Sequence, residues 1–124
     1  MNRIIAKQIN HSIIEEFIKK IRELELIFYA SEAANEMNFK NKTEFHEAVK
    51  RAMELCLNVG LPLEGNFMQI YKSSKEGLVY DWKISPLAYH LVCLNGECYN
   101  PKVARMQVDL VTNHFFTTKN RIRI

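Results

Sequence analysis

The chain has 124 residues, 48% of them hydrophobic and 25% charged, a composition of folded globular proteins that excludes wholesale disorder. Seventeen Lys/Arg against fourteen Asp/Glu leave a net charge of +3, too mild to demand a nucleic-acid partner on its own. No run reaches the roughly 18 apolar residues that span a bilayer, and three cysteines (Cys56, Cys93 and Cys98) make a poor disulfide framework. One domain is expected, without a membrane partner. Lys7 and Gln8 interrupt the N-terminal apolar stretch too soon for a secretion signal, and free thiols suit a reducing interior, so the expected location is the cytoplasm.

The first helix is announced by Ser12-Ile13-Ile14-Glu15, a capping box in which Ser and Glu satisfy each other's backbone amides. Over Ser12–Leu26, Ile13, Ile14, Phe17, Ile18, Ile21 and Leu24 share one face, and Glu15/Lys19 and Glu16/Lys20 pair across the other. This apolar face belongs either to the core or to a docking or dimerisation surface. Leu26–Ala30 reads as a short strand or extended link, after which Ser31 is placed to cap a brief helix ending at Phe39.

Asn41-Lys42-Thr43-Glu44 resembles a second capping box, opening a helix with Phe45, Ala48, Val49, Ala52, Met53 and Cys56 inward and Gly60 as terminator. Beyond the Leu61–Gly65 connector, Phe67–Lys72 and Leu78–Ile84 alternate with period two. The four residues Ser74-Lys75-Glu76-Gly77 form the expected loop of a hairpin. Two further helices begin with a cap residue followed by proline at the first turn. Pro86–Leu94 is apolar nearly all round, the expected buried centre, and Pro101–Phe116 turns Val103, Ala104, Val108, Val111 and Phe115 inward. Thr117–Ile124 alternates and is basic, as an edge strand or a loose tail. The order predicts an α+β fold: a mainly helical single domain over 1–124 with a central β-hairpin.

Charge is uneven. Residues 1–60 balance nine basic against nine acidic side chains, whereas from Tyr99 onward Lys102, Arg105, Lys119, Arg121 and Arg123 face Asp109 alone. The two helices before the connector have the proportions of a helix-turn-helix, with the hairpin as a wing. That geometry would present Lys42, His46, Lys50 and Arg51 to DNA, with Lys72 and Lys75 at the hairpin tip. Glu44, Glu47 and Glu54 on the same helix oppose this by repelling phosphates.

His90, Cys93 and Cys98 lie close enough in sequence to test for zinc, but structural zinc takes four ligands, usually in paired spacings, and these three read as core residues. Cys93 with His90 one turn away has the residue types of a thiol nucleophile inside a helix that looks buried. No phosphate-cradling or nucleophile-elbow motif is present, so neither catalytic residues nor a metal or cofactor is expected.

A resemblance adds to this reading. Phe28-Tyr29-Ala30-Ser31-Glu32-Ala33-Ala34-Asn35-Glu36-Met37-Asn38-Phe39 resembles the "W-x-A-x-D-L-A-x-x-L-G-Y" opening of the DNA-damage-inducible protein D family and the related Bro-N/KilA-N phage antirepressor domains. Asp81-Trp82-Lys83-Ile84-Ser85-x₂-Ala88, Leu91-Val92-x₂-Asn95-Gly96-Glu97 and Pro101-x-Val103-Ala104-x₂-Gln107 are similar to its later motifs, and the likeness covers about residues 13–112. It differs at Pro86 and Phe115, where the family has arginines, and at Asn38, where the family has glycine.

The resemblance implies a non-enzymatic binding module in DNA metabolism, the damage response or phage and mobile-element regulation. Its expected partner is DNA, held through Lys40, Lys42, Lys50, Arg51, Lys72, Lys75, Lys102 and Arg105. The alternative is a protein–protein module that binds a repressor or a recombination protein. A hydrolase or nuclease comes third, with no residue spacing to predict it. Asp81, Ser85, Asn95, Gly96 and Gln107 recur in the motifs but have structural work open to them. Ser85 caps a helix, Asn95 and Gly96 close it, and Gln107 can satisfy a buried carbonyl.

Overall fold

The computed structural model describes residues 12–21 and 24–122, with side chains as far as Phe115. Helix α1 covers 12–21 and is followed by β1 (Phe28–Tyr29), α2 (Ala30–Glu36), α3 (Lys42–Asn58), β2 (Phe67–Ser74), β3 (Gly77–Ile84), α4 (Pro86–Leu94) and α5 (Pro101–Ile122). The three strands form an antiparallel sheet in the order β1-β3-β2. The fold is α+β, as the order of sequence signals predicts.

The core gathers where the small faces of the helices meet the base of the hairpin. Ala30 and Ala33 of α2, Ala48, Val49, Ala52 and Cys56 of α3, Ala88, Val92 and Cys93 of α4, Val103 of α5, and Phe67 and Ile84 of the sheet pack together, all nearly inaccessible. Alanine at so many contacts lets helix backbones approach closely, so each small side chain still buries its neighbours' larger ones.

Helix ends follow local chemistry closely. α3 begins with Asn41 Oδ1 accepting the Glu44 amide at 2.9 Å and ends with the Gly60 and Leu61 amides donating to Leu57 and Cys56 carbonyls. Gly60 is left-handed at φ +77°, completing a Schellman closure. α2 closes the same way: Asn38 and Phe39 amides donate to the Asn35 and Ala34 carbonyls, and Asn38 sits at φ +54°. Asparagine is the side chain that tolerates this conformation best after glycine, which explains how it stands where the resembled motif has glycine.

Several expectations are corrected. Ser31 does not cap α2; Tyr29 is the cap residue, makes no side-chain cap bond, and α2 stops at Glu36. The hairpin pairs Ser74 with Gly77, so its loop is the two residues Lys75-Glu76 and both strands run longer than the alternation suggests. Gly77, the first residue of β3 after the turn, is left-handed at φ +106°, a conformation that favours glycine. α4 is not buried all round, since Leu87 and His90 are exposed. The 117–122 stretch, expected as strand or tail, continues α5 as helix to Ile122. Of the α5 residues expected inward, Val103 is buried, whereas Val108, Val111 and Phe115 are 60% exposed or more. The apolar face of α1 is likewise outside the core, with Ile13, Ile14, Phe17 and Leu24 more than half exposed.

Gly96 is fixed by space. A Cβ there would lie 2.5 Å from Phe39 Cε1 and 2.7 Å from Val103 Cγ2, and Val103 is fully buried with a stiff χ1. Gly96→Ala is expected to lower stability by about 1–3 kcal/mol, the usual cost of overpacking. Asn38→Ala, which removes the tolerance for a left-handed backbone, should cost about 1 kcal/mol, and Asn38→Gly should cost nothing. Urea denaturation of the three variants checks both statements.

Candidate nucleic-acid interface

Lys42, His46 and Lys50 recur every four residues along α3, so they stand one above another on a single exposed face. The hairpin supplies the facing wall. Its register sets Tyr71 opposite Tyr80 and Gln69 opposite Trp82 on one side of the sheet. The two tyrosine rings are 5.1 Å apart and 63% and 51% exposed. Trp82 is the hinge between the walls, its ring 5.8 Å from Phe45 and 5.9 Å from His46.

Two clefts open along this seam. One, of about 390 Å³, is lined by Ser31, Lys42, Phe45, His46, Lys72 and residues 78–81. The second, of about 450 Å³, includes His46, Lys50, Met53, Gln69, Tyr80 and Trp82. They share His46 and Tyr80, so α3 and the distal hairpin bound one continuous concave surface with cations and aromatic rings interleaved.

Four of the eight basic residues expected to contact DNA lie here. Lys50 is exposed, and Lys75 is exposed in the hairpin turn. Lys42 is exposed and pairs with Glu76 at 3.4 Å, a contact of little energetic weight. Lys72 stands over the Tyr29 ring at 3.7 Å and bonds Asp81 at 2.8 Å. The other four lie outside both clefts. Arg51 reaches from α3 to the end of α4, giving the Asn95 carbonyl two bonds of 3.1 and 2.6 Å between flanking Glu47 and Glu97. Lys102 donates to the Glu36 carbonyl, Lys40 lies over Tyr99 at 4.5 Å, and Arg105 is exposed on α5. Arg51 and Lys102 thus bind helix carboxyl ends, where a cation meets unsatisfied carbonyls and the negative end of the helix dipole.

The motif residues are structural. Ser85 Oγ accepts the Ala88 amide and donates to Asn66 Oδ1. Asn95 donates from its amide side chain to Leu91, and Gln107 donates to the Leu94 carbonyl at 2.8 Å. Asp81 is 2% exposed and accepts from the Ser31 amide, the Ser31 hydroxyl, the Trp82 amide and Lys72. Burial pushes its carboxyl up, but the bonds from Lys72, Ser31 and Trp82 together prevail and hold it below the usual carboxylate range.

Sequence reasoning placed Glu44 on the phosphate-facing surface; it is 3% exposed. Its carboxylate accepts the Lys40 amide and the Asn100 side-chain amide, at 3.0 and 3.2 Å. Glu44 therefore sets no acidic charge on the surface, whereas Glu54 lines the second cleft beside Lys50. Tyr71 and Tyr80 were missed as site residues: alternation places each on a face of its strand, and the hairpin register sets them opposite each other.

Among the described residues, no three His, Cys, Asp or Glu side chains converge as metal ligands do. Burial, with Glu36 nearby, pushes the Cys93 thiol up to about 11, away from the thiolate a nucleophile requires. No protein-family model, curated protein or solved structure matches the chain.

The pKa of Asp81 is depressed in the folded state, so its contribution is complete above the unfolded carboxylate range and is lost as pH falls through the folded value. Asp81→Asn should therefore lower stability by about 2 kcal/mol at pH 7, the cost of weakening charge-assisted bonds to buried donors. The gap from the unsubstituted protein should narrow as pH falls below the usual carboxylate range and Asp81 becomes protonated in the folded state. Denaturant titrations at a series of pH values measure it.

Proposed function

We propose that this chain is a non-enzymatic DNA-binding module that holds a single-stranded or locally unpaired segment against the α3–hairpin surface. The observation that carries the reading is the arrangement of Lys42, His46 and Lys50 along α3, facing the exposed Tyr71–Tyr80 pair across a concave seam. Single strands bind where cations track the phosphates and aromatic faces stack unpaired bases, at about 1–3 kcal/mol per stacked base. Duplex reading by α3 is less well supported, because its inward face forms the core and Arg51 is engaged with Asn95. The resemblance to the damage-inducible D and antirepressor domains supports DNA as the polymer.

A second reading rests on a separate observation. Helix α1 presents Ile13, Ile14, Phe17, Ile18 and Ile21 to solvent at 42–64% exposure, an apolar face suited to a regulatory or recombination protein.

Fluorescence anisotropy with labelled single- and double-stranded DNA at two salt concentrations tests the first reading. Single strands should bind more tightly, with affinity falling steeply as salt rises. Replacing Lys50 and Lys75 by Glu should weaken binding by about tenfold or more and flatten the salt dependence by about one unit per lost phosphate contact. Tyr80→Ala should reduce single-strand affinity about tenfold, as expected for one stacked base. No binding at low salt, or an unchanged salt slope in the charge-reversed protein, would sink this reading in favour of a protein partner.

A further inference from the structure

The cleft beside β3 has a chemistry that DNA binding does not use. β3 is the middle strand only at its end, where β1 pairs Phe28 with Ile84 and Tyr29 with Lys83; the chain then turns away into α2. Along residues 78–81 the same edge has no neighbouring strand among the described residues, and these residues line the 390 Å³ cleft.

The register tells which backbone groups face it. The two-residue turn makes Ser74 and Gly77 a hydrogen-bonded pair, and such pairs alternate along an antiparallel ladder. Val79, Asp81 and Lys83 therefore direct their amides and carbonyls to β2. The Ser85 amide, in the same phase, donates to the Asn66 carbonyl at 3.0 Å. Leu78, Tyr80 and Trp82 point the other way. The Trp82 amide is taken by Asp81 Oδ1 at 2.7 Å, which leaves the Leu78 and Tyr80 amides and carbonyls directed into the cleft.

We propose that this edge is a strand-addition site for an extended peptide segment of another protein, continuing the row that β1 begins. Three observations select a peptide. Donors and acceptors repeated every second residue complement an extended polypeptide backbone. β1 already uses this same edge in antiparallel pairing, so the occupant continues an existing ladder. The open stretch, four residues or about 13 Å at the rise of a strand, fits a short segment. The walls add side-chain selection: Phe45 on one side and the exposed Leu78 and Tyr80 on the other receive apolar side chains at alternate positions. The proposal stands independently of the DNA reading.

The test uses the full chain and a displayed library of random twelve-residue peptides as the probe. Selected peptides should alternate apolar with polar residues, and the best of them, added in solution, should slow hydrogen exchange of the Leu78 and Tyr80 amides about tenfold. N-methylating that peptide at alternate backbone nitrogens should weaken binding about tenfold in one phase and leave it unchanged in the other. Tyr80→Pro removes the edge donor but no β2 bond and should abolish binding, whereas Tyr80→Ala keeps the amide and should retain most of it. The methylated peptides decide the matter whether or not the proline variant folds. The proposal is overturned if no peptide is enriched, if methylation is tolerated in both phases, or if the two amides stay unprotected. It is also overturned if they become protected with protein concentration alone, which would assign the edge to a second copy. None of these outcomes alters the salt-dependent DNA titration.

Discussion

The buried Glu44–Asn100 contact is the constraint on which the arrangement of helices depends. Asn100, 4% exposed, sends its side-chain amide to the Met37 carbonyl at 2.9 Å and to Glu44 Oε1 at 3.2 Å, while its Oδ1 accepts the Lys102 amide. One side chain thereby ties the end of α2, the first turn of α3 and the start of α5. Glu44 contributes the other half, taking the Lys40 amide on its second oxygen. A buried carboxylate without these donors would be strongly unfavourable. With them it rigidly sets where α3 begins, and hence where Lys42, His46 and Lys50 stand against the hairpin.

Asp81 does for the sheet what Glu44 does for the helices. It gathers the start of α2 through Ser31, β2 through Lys72 and the next residue of its own strand through Trp82. The two carboxylates lie at opposite ends of the link between β1 and α3, and every buried side-chain N or O atom among the described residues is satisfied. Such complete pairing favours a unique packing over a merely compact one. It also explains why basic residues that look available in the sequence are not equivalent. Lys72, Arg51 and Lys102 complete internal networks, whereas Lys50 and Lys75 are exposed.

What was legible in the sequence follows the range of each interaction. Asn41, Gly60, Ser85 and Pro86 act within four residues of themselves, so α3 and α4 could be bounded from composition alone. Ser31 was misread because its hydroxyl has a local use, as a cap, and a distant one, on Asp81 fifty residues away; tertiary packing chose the second. Glu44 was misread for the same reason, since its partner Asn100 is fifty-six residues on. The faces of α1 and α5 were ambiguous in principle: helical periodicity identifies an apolar stripe but not what covers it. In the candidate site, the α3 row was readable from a spacing of four. The Tyr71–Tyr80 pair required the register, which a single residue of loop length would have moved to the other side of the sheet.

The position of the proposed binding surface is a consequence of how little core the described residues have. Small residues let α2, α3 and α4 close tightly around Ile84 and Phe67, at the base of the hairpin. The sheet outruns that core: beyond Trp82, β2 and β3 continue without a helix fully covering them, and their side chains become progressively exposed. An uncovered two-stranded ribbon is marginal by itself. Here it is held by the Tyr71–Tyr80 contact on one side, by the Lys72–Asp81 bond on the other and by α3 along its flank. The same features that keep the ribbon in place leave rings, cations and an unpaired edge facing outward. Filling that seam with apolar side chains would lengthen the core and remove the surface. On the proposed reading, stability and recognition compete for the same residues of the distal hairpin, and they meet at Tyr80, packed against Tyr71 on one face and half exposed toward the cleft.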